Sequence, residues 1–169
     1  MRVETQDGAR QGRRHAIVLI LDRLRSAYNV GNLFRLAEVA GLDGIYTCGY
    51  TATPPHPKLA KSARGCDELV PCTHFADSAS AIAAAQAEGR MVVAIETVAG
   101  APDIWDLELR MPLALVLGNE ALGIDEGALH ACDAVARLPV FGSKNSLNVA
   151  NCATAVVYDI VRRQGHGNS

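Results

Sequence analysis

The chain has 169 residues, of which 49% are hydrophobic, and its charged residues leave a formal net charge of −2. This length suits one domain, and the apolar content excludes a disordered, collagen-like or linker-like protein. No run of about 18 uncharged apolar residues occurs, so we expect no membrane span. The first apolar stretch runs directly into Asp22 and Arg23 without a cleavage site for a signal peptide, so we expect a cytoplasmic protein.

The charges are unevenly distributed along the chain. Residues 1–64 hold ten Lys and Arg against five Asp and Glu, whereas residues 65–169 hold six against thirteen. Phosphate binding depends on where basic side chains lie rather than on their total. The small net charge therefore excludes no nucleic-acid partner, although a solvated face is an equally simple explanation of the basic half.

Apolar runs alternate with helical patterns along the chain, which predicts an α/β fold with a mostly parallel sheet flanked by helices. Continuous apolar runs predict strands that are buried on both faces. These runs are residues 16–21, 44–48, 91–95, 113–117 and 135–140.

Four segments between and after these strands have helical patterns. They are residues 30–40 with Asn29 as a possible cap, 78–88 ended by Gly89, 125–132 preceded by Gly123, and a last helix capped by Ser146. The last helix has its apolar residues at the spacing of one helical face. We expect one domain over residues 15–164, with a disordered tail at 1–14 and a short tail at 165–169.

The connection over residues 49–61 is long and rich in Thr and Pro, and Lys58, Lys61 and Arg64 lie in or just after it. Loops of this length in a small domain are often functional. A basic loop that grips a phosphate and a solvated turn with a helix behind it explain the segment equally well.

Metal and disulfide chemistry are not indicated. The five cysteines form no CxxC pair, and the five histidines show no ligand spacing. We therefore expect neither a disulfide framework nor a metal site.

Three segments that contain glycine and polar residues each follow or extend a predicted strand. They are NVGNLFR at 29–35, LGNEALG at 117–123 and LPVFGSKNSLNVAN at 138–151. Ligands in open α/β sheets bind at the carboxyl ends of strands, so these segments are candidate site loops. Taken singly, Asn29 and Ser146 have an ordinary explanation as helix caps, and Gly118 and Gly123 as turn residues.

Common nucleotide and nucleophile motifs are missing. No GxGxxG follows a strand, and the spacing from Gly118 to Gly123 is followed by Ile124 and Asp125 where a P-loop needs Lys and Ser or Thr. GxSxG is also absent. NAD, ATP and acyl-enzyme chemistry are therefore not favoured.

The segments NVGNLFR, LGNE and SLNVA, in this order, resemble the three motifs of the SpoU (TrmH) family of RNA ribose 2′-O-methyltransferases, in the SPOUT class. The resemblance covers about residues 16–163. It implies a SPOUT-type α/β fold with a C-terminal trefoil knot, a homodimer, and S-adenosylmethionine as methyl donor.

The resemblance also assigns roles to individual residues. It implies catalytic roles for Asn29, Arg35, Glu120, Ser146 and Asn148. Arg35 would orient the ribose hydroxyl, because a guanidinium cannot accept its proton, and Glu120 is a rival candidate for the base. Arg23, Asn32, Arg35, Lys58, Lys61 and Arg64 are the expected RNA-binding residues.

The expected donor pocket consists of backbone and apolar atoms in the loops of the knot. These residues are Glu96, Thr97, Leu117, Gly118, Asn119, Leu138, Pro139, Val140, Ser146 and Leu147. The helix that starts at Ser146 offers N–H groups suited to the carboxylate of the donor. The expected activity is methyl transfer to a ribose 2′-hydroxyl, with tRNA as the first candidate substrate and rRNA as the second. A non-catalytic RNA-binding module that retains the fold is the alternative.

Overall fold

The computed structural model describes residues 12–165, and the expected tails at 1–14 and 165–169 lie almost wholly outside them. Its centre is a six-stranded sheet with the order β3-β2-β1-β5-β4-β6, in which every pair of neighbours is parallel. The strands are β1 (His15–Asp22), β2 (Leu42–Cys48), β3 (Cys72–Phe75), β4 (Met91–Ile95), β5 (Leu113–Leu117) and β6 (Ala134–Ala136).

Within residues 12–165, six α-helices and one 3₁₀ turn (Ile104–Asp106) connect or follow these strands. The helices are α1 (Ala27–Val39), α2 (Pro57–Ala63), α3 (Cys66–Leu69), α4 (Ser78–Ala87), α5 (Glu126–Ala131) and α6 (Val149–Gly165).

The helices cover both faces of the sheet. Alternate residues of β1 point to opposite sides, so that Ile17 and Leu19 pack in a core with α1, α2 and α6, while Val18 and Ile20 pack with α4 and α5. Burial on both sides explains why the central strands read as unbroken apolar runs. The predicted α/β class with a parallel sheet is confirmed.

The predicted strands match the observed ones closely at the centre of the sheet and less well at its edges. The predictions at 91–95 and 113–117 are confirmed to the residue, and those at 16–21 and 44–48 fall inside β1 and β2. The prediction at 135–140 is wrong in extent, because the chain leaves the sheet after Ala136. The edge strand β3 and the helix α3 were not predicted, and a helix at α2 was one of the two explanations left open for the segment 49–61.

Two predicted helix caps are wrong. Ser26 caps α1, where its Oγ accepts a hydrogen bond from the backbone N–H of Asn29 at 3.1 Å, so Asn29 lies in the first turn. Asn148 rather than Ser146 caps α6, because its Oδ1 accepts from the N–H of Ala150 at 2.9 Å. The side chains of Asn29 and Ser146 are therefore not used as helix caps.

The strand order creates a crevice between the carboxyl ends of β1 and β5. After β1 the chain proceeds to β2 on one side, whereas after β5 it passes to β6 on the other side. Ligands in open α/β sheets bind at such a switch point. The trefoil knot stays a prediction. Among residues 12–165, no helix has both the length and the apolar character needed to cross a membrane.

Candidate active site

Three polar side chains from distant parts of the chain meet in the crevice between β1 and β5. The Nδ2 of Asn29 donates to Glu120 Oε1 at 3.2 Å, and the Oδ1 of Asn29 accepts from Asn148 Nδ2 at 3.0 Å. We call Asn29, Glu120 and Asn148 the polar cluster. One residue comes from each of the three sequence motifs, as the order of the motifs led us to expect.

Each member of the polar cluster is held by local backbone structure. Asn29 is buried in the first turn of α1, where Ser26 fixes its N–H. Glu120 follows β5, and its Oε2 accepts a hydrogen bond from the N–H of Arg25 at 3.0 Å. Asn148 is fixed by capping α6. The cluster therefore ties the loops after β1 and β5 to the start of the last helix.

The electrostatics of Glu120 follow from these bonds. Partial burial raises its pKa, but hydrogen bonds from the backbone of Arg25, from its own backbone, from Asn29 and from the backbone of Ser26 outweigh burial and lower the pKa below the ordinary value. Glu120 is therefore ionised at neutral pH and is a weak proton acceptor. Its geometry suits holding Asn29 in place better than removing a proton from a substrate.

Asn119, the residue before Glu120, is buried and shapes the loop after β5. Its Oδ1 accepts from the N–H groups of Ala121 and Leu122, both at 2.8 Å, and its Nδ2 donates to the carbonyl of Arg23 at 2.7 Å and to Tyr50 Oη at 2.8 Å. The side chain of Asn119 thus has its hydrogen bonds within the protein. The carbonyl of Asn119 also accepts a hydrogen bond from the N–H of Gly123 at 2.9 Å, so both its side chain and its backbone hold the loop in shape.

Glu96 performs a similar task at the end of β4. Its Oε2 accepts from the N–H of Ile124 at 2.9 Å and its Oε1 from the N–H of Thr97 at 3.0 Å. A Cβ on Gly118 would come within 2.6 Å of the backbone N of Ile124, so the loop after β5 folds back closely on itself. The loops at 96–97 and 117–124 are therefore adjacent and tightly shaped.

The other predicted donor residues are exposed or only partly buried. Leu138 and Pro139 are half-buried in the irregular segment after β6, and the stretch from Val140 to Asn148 is exposed. Ser146 makes no side-chain hydrogen bond among the described residues. The parallel pairing of β4 with β5 and β6 puts the carboxyl ends of these strands together, so residues 96–97, 117–119 and 138–139 leave the sheet at the same edge.

Among the described residues, Arg35 makes no hydrogen bond to the polar cluster. It lies six residues after Asn29 in α1, which turns it to a different face of the helix, and it is exposed. Its charge acts on Cys66 at the start of α3, where it opposes the effect of burial on the pKa of that thiol. The side chains of Arg35 and Asn29 therefore point to different places.

The expected RNA-binding residues separate into two groups. Lys58 and Lys61 line an open cavity of about 750 Å³. Arg23 instead pairs with the buried carboxylate of Asp22 at 3.0 Å, Arg64 ends α2 in a left-handed conformation with φ of 53°, and Asn32 is half-buried on α1.

The cavity also contains residues that the sequence analysis missed. We call it the basic cavity; it lies between the start of α1, the loop after β2 and the start of α2. Arg25, Tyr28, Tyr50 and His56 line it together with Lys58 and Lys61. Aromatic residues that flank basic ones in two neighbouring loops are a signal that could have identified it.

No group of three or more His, Cys, Asp or Glu side chains within residues 12–165 is arranged to hold a metal ion.

The model of the SpoU rRNA Methylase family matches residues 16–158. A 23S rRNA (uridine(2479)-2′-O)-methyltransferase from Streptomyces viridochromogenes is 30% identical over 155 residues, which cover 89% of this chain and 54% of that protein. A putative TrmH family tRNA/rRNA methyltransferase from Staphylococcus aureus is 31% identical over 147 residues, which cover 87% of this chain and 59% of that protein. The chain thus spans somewhat more than half the length of these relatives.

Solved structures of SpoU methyltransferases have a similar fold. AviRb from Streptomyces viridochromogenes superposes with a TM-score of 0.82 at 29% identity, and the match covers 94% of this chain and 64% of that chain. An AdoMet-bound rRNA methyltransferase from Sinorhizobium meliloti superposes with a TM-score of 0.81 at 29% identity, covering 90% of this chain and 57% of that chain.

Proposed function

The chain belongs to the SpoU rRNA methylase family, and from this premise we propose that it transfers a methyl group from S-adenosylmethionine to a ribose 2′-hydroxyl of RNA. The observation that carries the proposal is the polar cluster, which joins all three family motifs in the crevice between β1 and β5. AviRb, which shares the fold, has been solved with AdoMet bound. We propose residues 15–164 as the single catalytic domain.

We propose that the methyl donor binds at the edge formed by the loops after β4, β5 and β6. The chemistry of this edge fits such a ligand, because it combines the backbone of residues 96–97 and 117–119 with partly buried or exposed apolar side chains, Leu138, Val140 and Leu147. The ionised Glu120 nearby suits a cationic sulfonium. When bound, S-adenosylmethionine supplies an activated methyl group.

One expectation about this edge needs correction. The first N–H groups of α6 were expected to receive the carboxylate of the donor, but Asn148 Oδ1 already accepts from the N–H groups of Ala150 and Asn151. These donors are engaged within the protein. The carboxylate therefore needs other partners in the neighbouring loops.

The polar cluster would orient the acceptor ribose. Transfer requires the hydroxyl oxygen in line with the methyl carbon, and such orientation supplies several kcal/mol of a barrier. The amide of Asn29 is held from both sides, by Glu120 and Asn148, so its position is fixed before the substrate arrives. Glu120 serves as a positioning group, since its lowered pKa makes it a weak base.

Arg35 needs a separate role, because it lies outside the polar cluster. Its exposed guanidinium is suited to an RNA phosphate, which it can bind through two parallel hydrogen bonds. A homodimer is part of the proposal. Its support is a set of exposed apolar side chains that includes Phe141, which is 89% exposed.

The RNA substrate has two candidates. We propose tRNA as the first candidate. The name of one relative, a methyltransferase for a uridine of 23S rRNA, supports rRNA as the second. The staphylococcal relatives are named for both molecules. RNA and S-adenosylmethionine both occur in the cytoplasm, where this proposal places the protein.

The decisive experiment combines donor binding with product analysis. Calorimetry should show S-adenosylmethionine binding, and incubation with total RNA from a strain that lacks the gene should restore one 2′-O-methyl nucleoside, located by nuclease digestion and mass spectrometry. Failure to bind the donor at near-millimolar concentration would favour a non-catalytic RNA-binding module instead.

A further inference from the structure

The basic cavity opens directly beside the polar cluster. Arg25 lines the cavity, and its backbone N–H donates to Glu120 at 3.0 Å. Tyr50 also lines the cavity, and its hydroxyl accepts from Asn119, the neighbour of Glu120, at 2.8 Å. A polynucleotide with one ribose at the cluster would therefore have an adjoining nucleotide within reach of the cavity.

The lining of the cavity has the chemistry of a single-stranded nucleic-acid site. Arg25, Lys58 and Lys61 are exposed cations, and none of the twelve lining residues is acidic. Tyr28 and Tyr50 are 65% and 60% exposed, so their rings are available for contact. Cations that follow the phosphates and aromatic rings that stack on bases are the features that bind single strands.

We propose that the basic cavity holds a nucleotide that flanks the methylated one, in an unpaired stretch of RNA. Tyr28 and Tyr50 contact the base of that nucleotide, and Lys58 and Lys61 bind its phosphates. This inference rests on the proposed function, because it takes the acceptor ribose to lie at the polar cluster.

The cavity is held in shape before any ligand binds. Ser62 Oγ on α2 donates to the carbonyl of Tyr28 on α1 at 2.8 Å. The two helices approach so closely at Gly31 that a Cβ there would lie 2.5 Å from the carbonyl oxygen of Leu59. The helix that carries Lys58 and Lys61 is therefore fixed against the helix that carries Tyr28, and little ordering is needed on binding.

The charges can be tested with a double variant, Lys58→Ala with Lys61→Ala. The probe is a fluorescein-labelled single-stranded RNA of twelve mixed nucleotides, and fluorescence anisotropy gives its affinity at several salt concentrations. We expect about a tenfold weaker binding and a salt slope smaller by about 1.4, as the loss of two contacts to single-stranded phosphates predicts. Arg110→Ala is the control, because this exposed arginine precedes β5 and so lies near the amino ends of the strands, whereas the cavity lies at their carboxyl ends.

Stacking can be tested at Tyr28, whose exposed side chain makes no hydrogen bond among the described residues. Tyr28→Ala should weaken binding of the same RNA about 5- to 100-fold, and Tyr28→Phe should keep wild-type affinity because a phenyl ring also stacks. A duplex of the same sequence should compete poorly with the labelled single strand. Equal competition by the duplex would overturn the requirement for an unpaired nucleotide.

The same preparations separate this inference from the proposed function. If the wild-type protein binds S-adenosylmethionine and methylates RNA while the lysine and tyrosine variants keep wild-type affinity and salt slope, the cavity proposal is wrong and the activity stands. If the wild-type protein binds no donor and transfers no methyl group, yet the variants lose affinity for RNA, the activity is wrong and the cavity stands as an RNA site.

Discussion

The two sides of the crevice between β1 and β5 are built in different ways. On the β1 side, polar and aromatic side chains such as Asn29 and Tyr50 point toward the crevice or the basic cavity. On the β5 side, the polar side chains of Glu96 and Asn119 turn inward and accept hydrogen bonds that hold the loops in shape. The first side thus presents polar and aromatic side chains, whereas the second side presents loops of defined shape.

The difference agrees with the two ligands of the proposed reaction. RNA offers phosphates, bases and hydroxyls that side chains can select, and the basic residues concentrate in the first 64 positions of the chain. A methyl donor that many enzymes share can be held by backbone groups in shaped loops. The predictions below test this division by changing side chains on one side and loop shape on the other.

The largest effect is expected for Asn29→Ala, which removes the central link of the polar cluster. We expect kcat/KM for methyl transfer to fall by about 10²- to 10³-fold, because loss of orientation or of one fixed polar contact has this size in enzymes. The affinity for S-adenosylmethionine should stay unchanged. Thermal unfolding, measured alongside, separates this effect from a loss of folded protein.

Asn151→Ala is the matched control for Asn29→Ala, because this exposed asparagine lies in the first turn of α6 outside the cluster. Near-normal turnover of Asn29→Ala would show that the cluster serves structure alone.

The next largest effect is expected for Gly118→Ala on the β5 side. The added Cβ would meet the backbone N of Ile124 at 2.6 Å and the carbonyl carbon of Gly123 at 2.7 Å, so the loop must shift. We expect a loss of about 2–4 kcal/mol in the free energy of unfolding and weaker donor binding by calorimetry, with little change in RNA affinity.

Gly165→Ala controls for the glycine substitution itself, because a Cβ at this exposed glycine at the end of α6 has no atom within 4 Å. If Gly118→Ala binds the donor as tightly as Gly165→Ala does, the loop after β5 does not form the donor site.

A smaller effect is expected for Gly31→Ala on the β1 side. The added Cβ would collide with Ser62 Oγ and lie 2.5 Å from the carbonyl of Leu59, which separates α1 from α2. Overpacking of this kind costs about 1–3 kcal/mol. We expect the binding of single-stranded RNA to weaken while donor binding is unchanged, the opposite pattern to Gly118→Ala. Equal effects on both ligands would contradict the division between the two sides.

The smallest effect concerns the charge of Glu120. Burial raises its pKa, but hydrogen bonds from Arg25, from its own backbone, from Asn29 and from Ser26 lower it below 4.5 overall. Ionised Glu120 therefore stabilises the fold above pH 4.5, and this contribution is lost as the pH falls through the lower folded value.

For Glu120→Gln we thus expect a free energy of unfolding lower by less than about 1 kcal/mol at pH 7, since Glu120 is more exposed than buried and water screens its charge. Urea titrations should show that the difference from the wild-type protein shrinks toward pH 3. An acid limb of the rate profile between pH 6 and 8 that disappears in the variant would instead identify Glu120 as the general base.

The sequence predicted the centre of the molecule better than its margins, for a physical reason. Strands such as Met91–Ile95 are buried on both faces and read as unbroken apolar runs. The edge strand Cys72–Phe75 has mixed exposure, and the seven-residue helix α2 begins with Pro57 in a proline-rich segment, so neither has a clear period. Burial on both faces produces a continuous apolar run in the sequence, and elements that are only partly buried lack such a run.

The site divides in the same manner. The resemblance to the three family motifs indicated Asn29, Glu120 and Asn148, and the structure brings their side chains together. Arg35 could not be placed from the motif, since its position depends on the helix face that it occupies. The basic cavity depends on the packing of α1 against α2, which joins residues near 28 to residues near 60. A contact between residues so far apart in the chain leaves no signal in the local sequence pattern.

The polar cluster also has a consequence for the order in which the two candidate sites can form during synthesis. Its hydrogen bonds join residues that are 91 and 119 positions apart, and domains fold as the chain leaves the ribosome from its N-terminus. Strand β1 and helix α1 are synthesised before β5, and Asn148 is synthesised after both. The residues that line the basic cavity, all between positions 25 and 61, are therefore present in a nascent chain well before the polar cluster can form.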